Sequence, residues 1–188
     1  MYLDDEGLVT VGFGTMLATA NEAAAVNFQY DKDGALATEP DIIAAYNVVH
    51  AGSAAQKAAA PENKFPPRYY EKVTDLRIAF ATASLLRDTH IDADYIQLKL
   101  IYPEFDNFPD DAKVALFDMI YNSGAGHSKM RHHRSIGLRA FATMNADINR
   151  ANWRDAAKKC QRRGISATRN QFVARLFNKC AVVRSGKP

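Results

Sequence analysis

The stretch Tyr2-Leu3-Asp4-Asp5-Glu6-Gly7-Leu8-Val9-Thr10-Val11-Gly12-Phe13-Gly14 decides how this chain is read. Asp4-Asp5-Glu6-Gly7 is turn chemistry: short acidic side chains bond their own backbone, and glycine adopts dihedrals that other residues avoid. From Leu8 onward, apolar and small residues alternate with β-branched ones, the pattern of a strand. Two glycines in so short a strand point to close approach by backbone or ligand. The residues alone describe an acidic hairpin turn leading into a strand. Gly12-Phe13-Gly14 is not a dinucleotide-binding loop, because it lacks the later glycine and no long apolar strand precedes it.

Beyond Thr15 the pattern turns helical. Thr38-Glu39-Pro40-Asp41 reads as a capping box with an early proline, followed by Ile42, Ile43, Tyr46 and Val49 on one helical face. Residues 51–67, rich in Ala, Gly and Pro, read as a loop or insertion. Thr74-Asp75 is expected to open a helix carrying Leu76, Phe80, Leu85 and Leu86. A shorter helix holds Tyr95, Leu98, Leu100 and Ile101 and ends before Pro103. Pro109-Asp110-Asp111 opens an apolar helix that stops at Gly124. Three further helices are expected around residues 136–147, 151–161 and 166–180. The expected fold class is α+β, mostly α: a small N-terminal β-hairpin and a helical domain.

The whole chain sets the bounds. Its 188 residues suit one domain, and 47% apolar with 10% aromatic residues can build a core. The net charge, 24 − 21 = +3, is too weak to argue for nucleic acid as a partner. No apolar run approaches the roughly 18 residues of a membrane span. Met1-Tyr2-Leu3-Asp4-Asp5 has neither the basic nor the apolar region of a signal peptide, and it reads like the middle of a strand.

Other candidate sites are weak. Asp31-Lys32-Asp33-Gly34 fails as a calcium loop, because its glycine comes too early and no terminal Glu follows, so it reads as a surface turn. His127, His132 and His133 lie among Lys129, Arg131 and Arg134 without a carboxylate or thiol nearby, which reads as a solvated basic loop, with a polyanion-contacting loop as the weaker alternative, and not as a metal site. No metal or cofactor is expected. Cys160 and Cys180 are either two buried thiols or one disulfide, and spacing alone does not choose between them.

The opening stretch resembles the active-site hairpin of phage-type lysozymes, in which Glu, eight residues, Asp, five residues and Thr precede a Gly-x-Gly step. Asp4 and Thr10 have the matching spacing, and Gly7, Gly12 and Gly14 fall where the family has glycine. Ala115-Leu116-Phe117-Asp118-Met119-Ile120-Tyr121-Asn122-Ser123-Gly124 is similar to the end of the family's central helix. Trp153 with Ala156-Ala157, then Arg162-Arg163-Gly164-Ile165 and Arg169-Asn170, is similar to its C-terminal helices. The matches occur in the family's order. Residues 21–108 match poorly, as in pesticin-like toxins and the wall-cleaving effectors of type VI secretion, which the Phe105-Asp106-Asn107-Phe108-Pro109 stretch also resembles. The implied organisation is a single lysozyme-like domain: an active-site hairpin over 1–20, a divergent helical region over 21–108 and a helical core over 109–188.

The resemblance implies a muramidase that cuts the β-1,4 bond between N-acetylmuramic acid and N-acetylglucosamine. Such chemistry uses one carboxyl as proton donor and a second as nucleophile, base or charge stabiliser. Asp4 is the implied second carboxylate, and Thr10 holds a water through its hydroxyl. Thr15 stands where many members have histidine, with Met16 beside it. Tyr121 and Asn122 are the implied lining of the sugar groove. Arg169 matches an arginine that faces the catalytic acid. The family's Glu, counted back from Asp4, falls ahead of Met1. That leaves three arrangements: a chain opening inside its own motif, a preceding segment that supplies the Glu, or transfer of the role to Asp5 or Glu6. The last is disfavoured because those residues share Asp4's side of the hairpin. Without the acid, Arg169 is expected to be solvated or paired with a substitute such as Asp4.

The implied partners are a peptidoglycan glycan strand and an immunity protein. The implied setting is the periplasm of a target cell, reached by an antibacterial effector or a lysis protein acting as a monomer. That setting favours a Cys160–Cys180 bridge. The competing expectation is a non-catalytic wall-binding module that keeps the groove without the acid.

Overall fold

The computed structural model describes residues 1–126 and 137–185, with the side chains of 183–185 left aside. The described residues are mostly helical with small antiparallel sheets, an α+β architecture. The chain divides into two compact units, Met1–His90 and Ile91–Pro188. The divisions expected at residues 20 and 108 do not coincide with that boundary.

The first unit opens with β1 (Tyr2–Leu3), β2 (Val9–Val11) and β3 (Thr15–Met16), an antiparallel sheet in the order β1-β2-β3. Tyr2 pairs with Thr10 and Leu3 with Val9; on the other side Thr10 pairs with Met16 and Val11 with Thr15. Helix α1 (Ala20–Ala24) is capped by Thr19, whose hydroxyl accepts the Glu22 N–H, while the Glu22 carboxylate accepts the Ala18 N–H. Then come β4 (Phe28–Tyr30), α2 (Glu39–His50) and α3 (Ser53–Ala58). The expected cap of α2 is present: Thr38 accepts the Asp41 N–H, its hydroxyl donates to Asp41, and Pro40 sits in the first turn. Ile42, Tyr46 and Val49 are buried, and Leu3, Val9, Val11 and Phe28 join them in one core.

Two expectations fail in this unit. Residues 51–67 include helix α3 as well as loop, because Ser53-Ala54-Ala55-Gln56-Lys57-Ala58 is a good helix-forming run. Thr74-Asp75 does not open a helix: Leu76–Ile78 is a strand, β5, paired antiparallel with β4. The pairing buries Leu76, which a helix starting there would have presented elsewhere. Helix α4 (Phe80–Ile101) starts later and is continuous, so the two helices expected over this region are one. It ends ahead of Pro103, as expected.

The second unit holds α5 (Asp110–Ser123), α6 (Ala142–Asn149), α7 (Trp153–Lys159) and α8 (Ala167–Ser185). Helix α8 packs against both α5 and α7. The core is built on Leu116, Met119, Ile120, Met144, Ile148 and Phe177, with Trp153 edge-on to Phe108 and stacked on Phe177. Each such side chain contributes roughly 1.5–3 kcal/mol by leaving water. The glycine stop is realised: Gly124 takes φ +66° and its N–H bonds the Ile120 carbonyl. Past it, Leu138 N–H donates to the Gly124 carbonyl and Arg139 N–H to that of Ala125, so two short backbone segments pair at 124–126 and 137–139.

The expected disulfide is not formed. Cys160 and Cys180 are free and buried. Each thiol donates within its own helix region, Cys160 to the Ala157 carbonyl at 3.2 Å and Cys180 to that of Leu176 at 3.3 Å.

Candidate functional site

The hairpin places Asp4 at the turn after β1, and that turn is built on its carboxylate. Asp4 Oδ1 accepts the N–H of Glu6 at 2.9 Å and of Leu8 at 2.8 Å, while its backbone pairs with Leu8 and Gly7. Gly7 closes the turn at φ +74°, and its carbonyl accepts the Ser53 hydroxyl. Asp5 and Glu6 are exposed on the same turn.

Thr10 lies in the central strand, 3% exposed, and its hydroxyl donates to the Leu8 carbonyl at 3.1 Å. That donor is committed, which leaves the hydroxyl its acceptor lone pairs. Thr15 is half-buried and Met16 exposed on β3. Register therefore brings Thr10 beside Met16, and Val11 beside Thr15. Asp4, Thr10, Thr15 and Met16 are all held by the first unit's small sheet.

Tyr121, Asn122 and Arg169 belong to the second unit. Tyr121 and Asn122 are half-buried on the last turn of α5, and the Asn122 amide donates back to the Asp118 carbonyl at 2.5 Å. Arg169, near the start of α8, is 45% exposed and bonds Asp118 through Nε at 2.8 Å. Arg169 is thus partly solvated and paired, within the same unit, with Asp118 of α5 and not with Asp4.

Asp118 is a site residue that its sequence surroundings do not mark. Its side chain is 13% exposed, and Arg162, 3% exposed, approaches its Oδ1 at 2.8 Å while donating to its main-chain carbonyl at 3.1 Å. Both carboxylate oxygens therefore face guanidinium groups. Arg162 is held in turn by Asn170, whose Oδ1 accepts from the Arg162 N–H and Nε–H and whose amide donates to the Arg162 carbonyl. No short-range signal marked this network, because Asp118 and Arg162 are 44 residues apart.

A comparison of the chain with known families, curated proteins and solved structures finds no match to any of them. Among the described residues, no helix is long and apolar enough to cross a membrane. Among them, too, no group of three or more His, Cys, Asp or Glu side chains could hold a metal ion. The candidate loop with His127, His132 and His133 lies outside the described residues. Asp31–Gly34 forms a tight turn, with Gly34 N–H on the Tyr30 carbonyl and Ala35 N–H on Asp33.

Proposed function

We propose that this chain is a peptidoglycan-cleaving glycoside hydrolase domain of the lysozyme-like type, with Asp4 as its second carboxylate. The observation that carries the reading is the N-terminal sheet. The stretch with the carboxylate, threonine and glycine spacing folds into paired strands, with Asp4 held by two backbone N–H groups at the first turn and Thr10 in the neighbouring strand. Asp4 Oδ2 is left for a water or for charge developing on the sugar, the task of the second carboxylate in glycoside hydrolysis. Further support comes from Arg169, which meets the helix segment that carries Tyr121 and Asn122. Antibacterial delivery, a periplasmic target and an immunity partner belong to the same proposal.

Clearing of a cell-wall suspension tests it. With a Glu supplied ahead of Met1 as proton donor, the protein should clear the suspension, and Asp4→Asn in that protein should lower the rate by about a hundredfold or more. Equal rates for the two proteins would sink the assignment of Asp4.

One observation favours a second reading, a wall-binding module without catalysis. The Thr10 hydroxyl already donates to the Leu8 carbonyl, and Asp118, the carboxylate facing Arg169, has both oxygens engaged by guanidinium groups. Retention on wall fragments with no release of reducing sugar would favour the module.

A further inference from the structure

We propose that the cavity between the first hairpin and the Pro61–Pro67 segment binds an α-amino-acid zwitterion carried on an aliphatic chain. The cavity measures about 450 Å³ and lies wholly within the first unit. That size suits a small-molecule site, for which roughly 300–1,000 Å³ is usual.

Its walls are built and held. Phe65, 49% exposed, stacks on Tyr69 with ring centroids 4.2 Å apart. The buried Gln56 clamps the Phe65 backbone from both sides, its amide donating to the carbonyl and its oxygen accepting the N–H, each at 3.0 Å. Phe65, Pro66 and Pro67 thus form a fixed apolar face that suits methylene groups.

The remaining lining sets three charged residues of both signs, Asp4, Asp5 and Lys64, beside Tyr2, Leu3 and Pro61. Asp4 spends Oδ1 on the turn and keeps Oδ2, while Asp5 offers an exposed carboxylate. Lys64 donates one N–H to the Asp5 carbonyl, and an ammonium carries three. An ammonium fits the carboxylates and a carboxylate fits Lys64. A lone cation, a lone anion or a neutral sugar would leave part of this set unmatched. The site meets the proposed function at Asp4, which lines both, and in the source of the ligand: stem peptides of the wall contain diamino acids whose far end carries a free amine and a free carboxylate on one carbon.

Titration of the whole chain, followed by backbone amide NMR shifts, tests the site with four probes: norleucine, hexylamine, hexanoate and chitotetraose. Norleucine should shift the amides of Asp4 to Leu8, Lys64 and Phe65, binding about tenfold more tightly than hexylamine or hexanoate. Lys64→Met should remove about tenfold of norleucine affinity and leave hexylamine binding unchanged. Asp5→Asn should weaken norleucine and hexylamine together. Equal affinity for norleucine and hexylamine, shifts caused by chitotetraose alone, or no shifts at all would each overturn the proposal. Wall clearing by the protein supplied with the Glu is read separately. Norleucine binding without clearing would remove the hydrolase reading and keep this site, and clearing without norleucine binding would do the reverse.

Discussion

Two arginines share Asp118, and their different exposure predicts different costs. Arg162 is 3% exposed on its side chain and Arg169 45%. Asp118→Asn leaves a buried guanidinium without its counter-charge, which should cost about 3–5 kcal/mol in urea unfolding. Arg169→Gln removes a half-solvated pair and should cost less than about 1 kcal/mol. The thiols give a prediction in pH. Burial pushes both Cys160 and Cys180 up from the ordinary thiol value. The unfolded chain therefore loses these protons first as pH rises. The stability they contribute is full below the unfolded thiol pKa, about 8.5, and declines above it toward the folded values. Cys160→Ser with Cys180→Ser should flatten that alkaline decline in unfolding curves. In the native protein both thiols should resist alkylation that the unfolded chain undergoes readily. At this scale the candidate site was legible where its partners are local. Asp4 announces itself because its bonds reach only to Glu6 and Leu8. The Asp118 network depends on distant chain segments meeting, and no spacing rule reports that.

Two glycines define element boundaries, and each has its own cost. At Gly7, φ is +74° and an added Cβ would press on the Ser53 carbonyl oxygen. Gly7→Ala should cost about 2–4 kcal/mol, strain and steric overlap combined, and should loosen the turn that carries Asp4. At Gly124, φ is +66° with open space around the position, so Gly124→Ala should cost only the left-handed strain of about 1–2 kcal/mol. Thermal melting of the two variants would show the order, and reversal of it would contradict the steric account. Helices were readable from sequence because their signals are contiguous: Pro109 and Gly124 bracket α5, and Thr38 and Pro40 open α2. The β4–β5 pair was not readable. Each strand is only three residues long, and Phe28 finds its partner at Ile78. With so few residues the alternation of Leu76-Arg77-Ile78 carries little signal, and the cap-like Thr74-Asp75 pointed the other way.

Among the described residues two cores share no member, one built on Leu3, Phe28 and Ile42 and the other on Leu116, Ile148 and Phe177. Ile42→Val and Ile148→Val should each cost about 0.5–1.5 kcal/mol, and the double variant should lose the sum to within about 0.5 kcal/mol. A larger deviation would mean that the cores are energetically coupled. At this scale the sequence predicted the mostly helical class with its N-terminal hairpin. It did not predict the division inside α4, because a continuous helix carries no composition shift at His90. The paired segments 124–126 and 137–139 have a different kind of consequence. Gly137 lies so near Gly126 that a Cβ at either would meet the other's backbone. The two segments are tied by main-chain bonds alone, Leu138 to Gly124 and Arg139 to Ala125, so the contact has no side chain to lose and no room to gain one. The glycine neck is therefore a clasp that closes only when bare: one methyl group on Gly137 would wedge the two segments apart and release the backbone bonds that hold them.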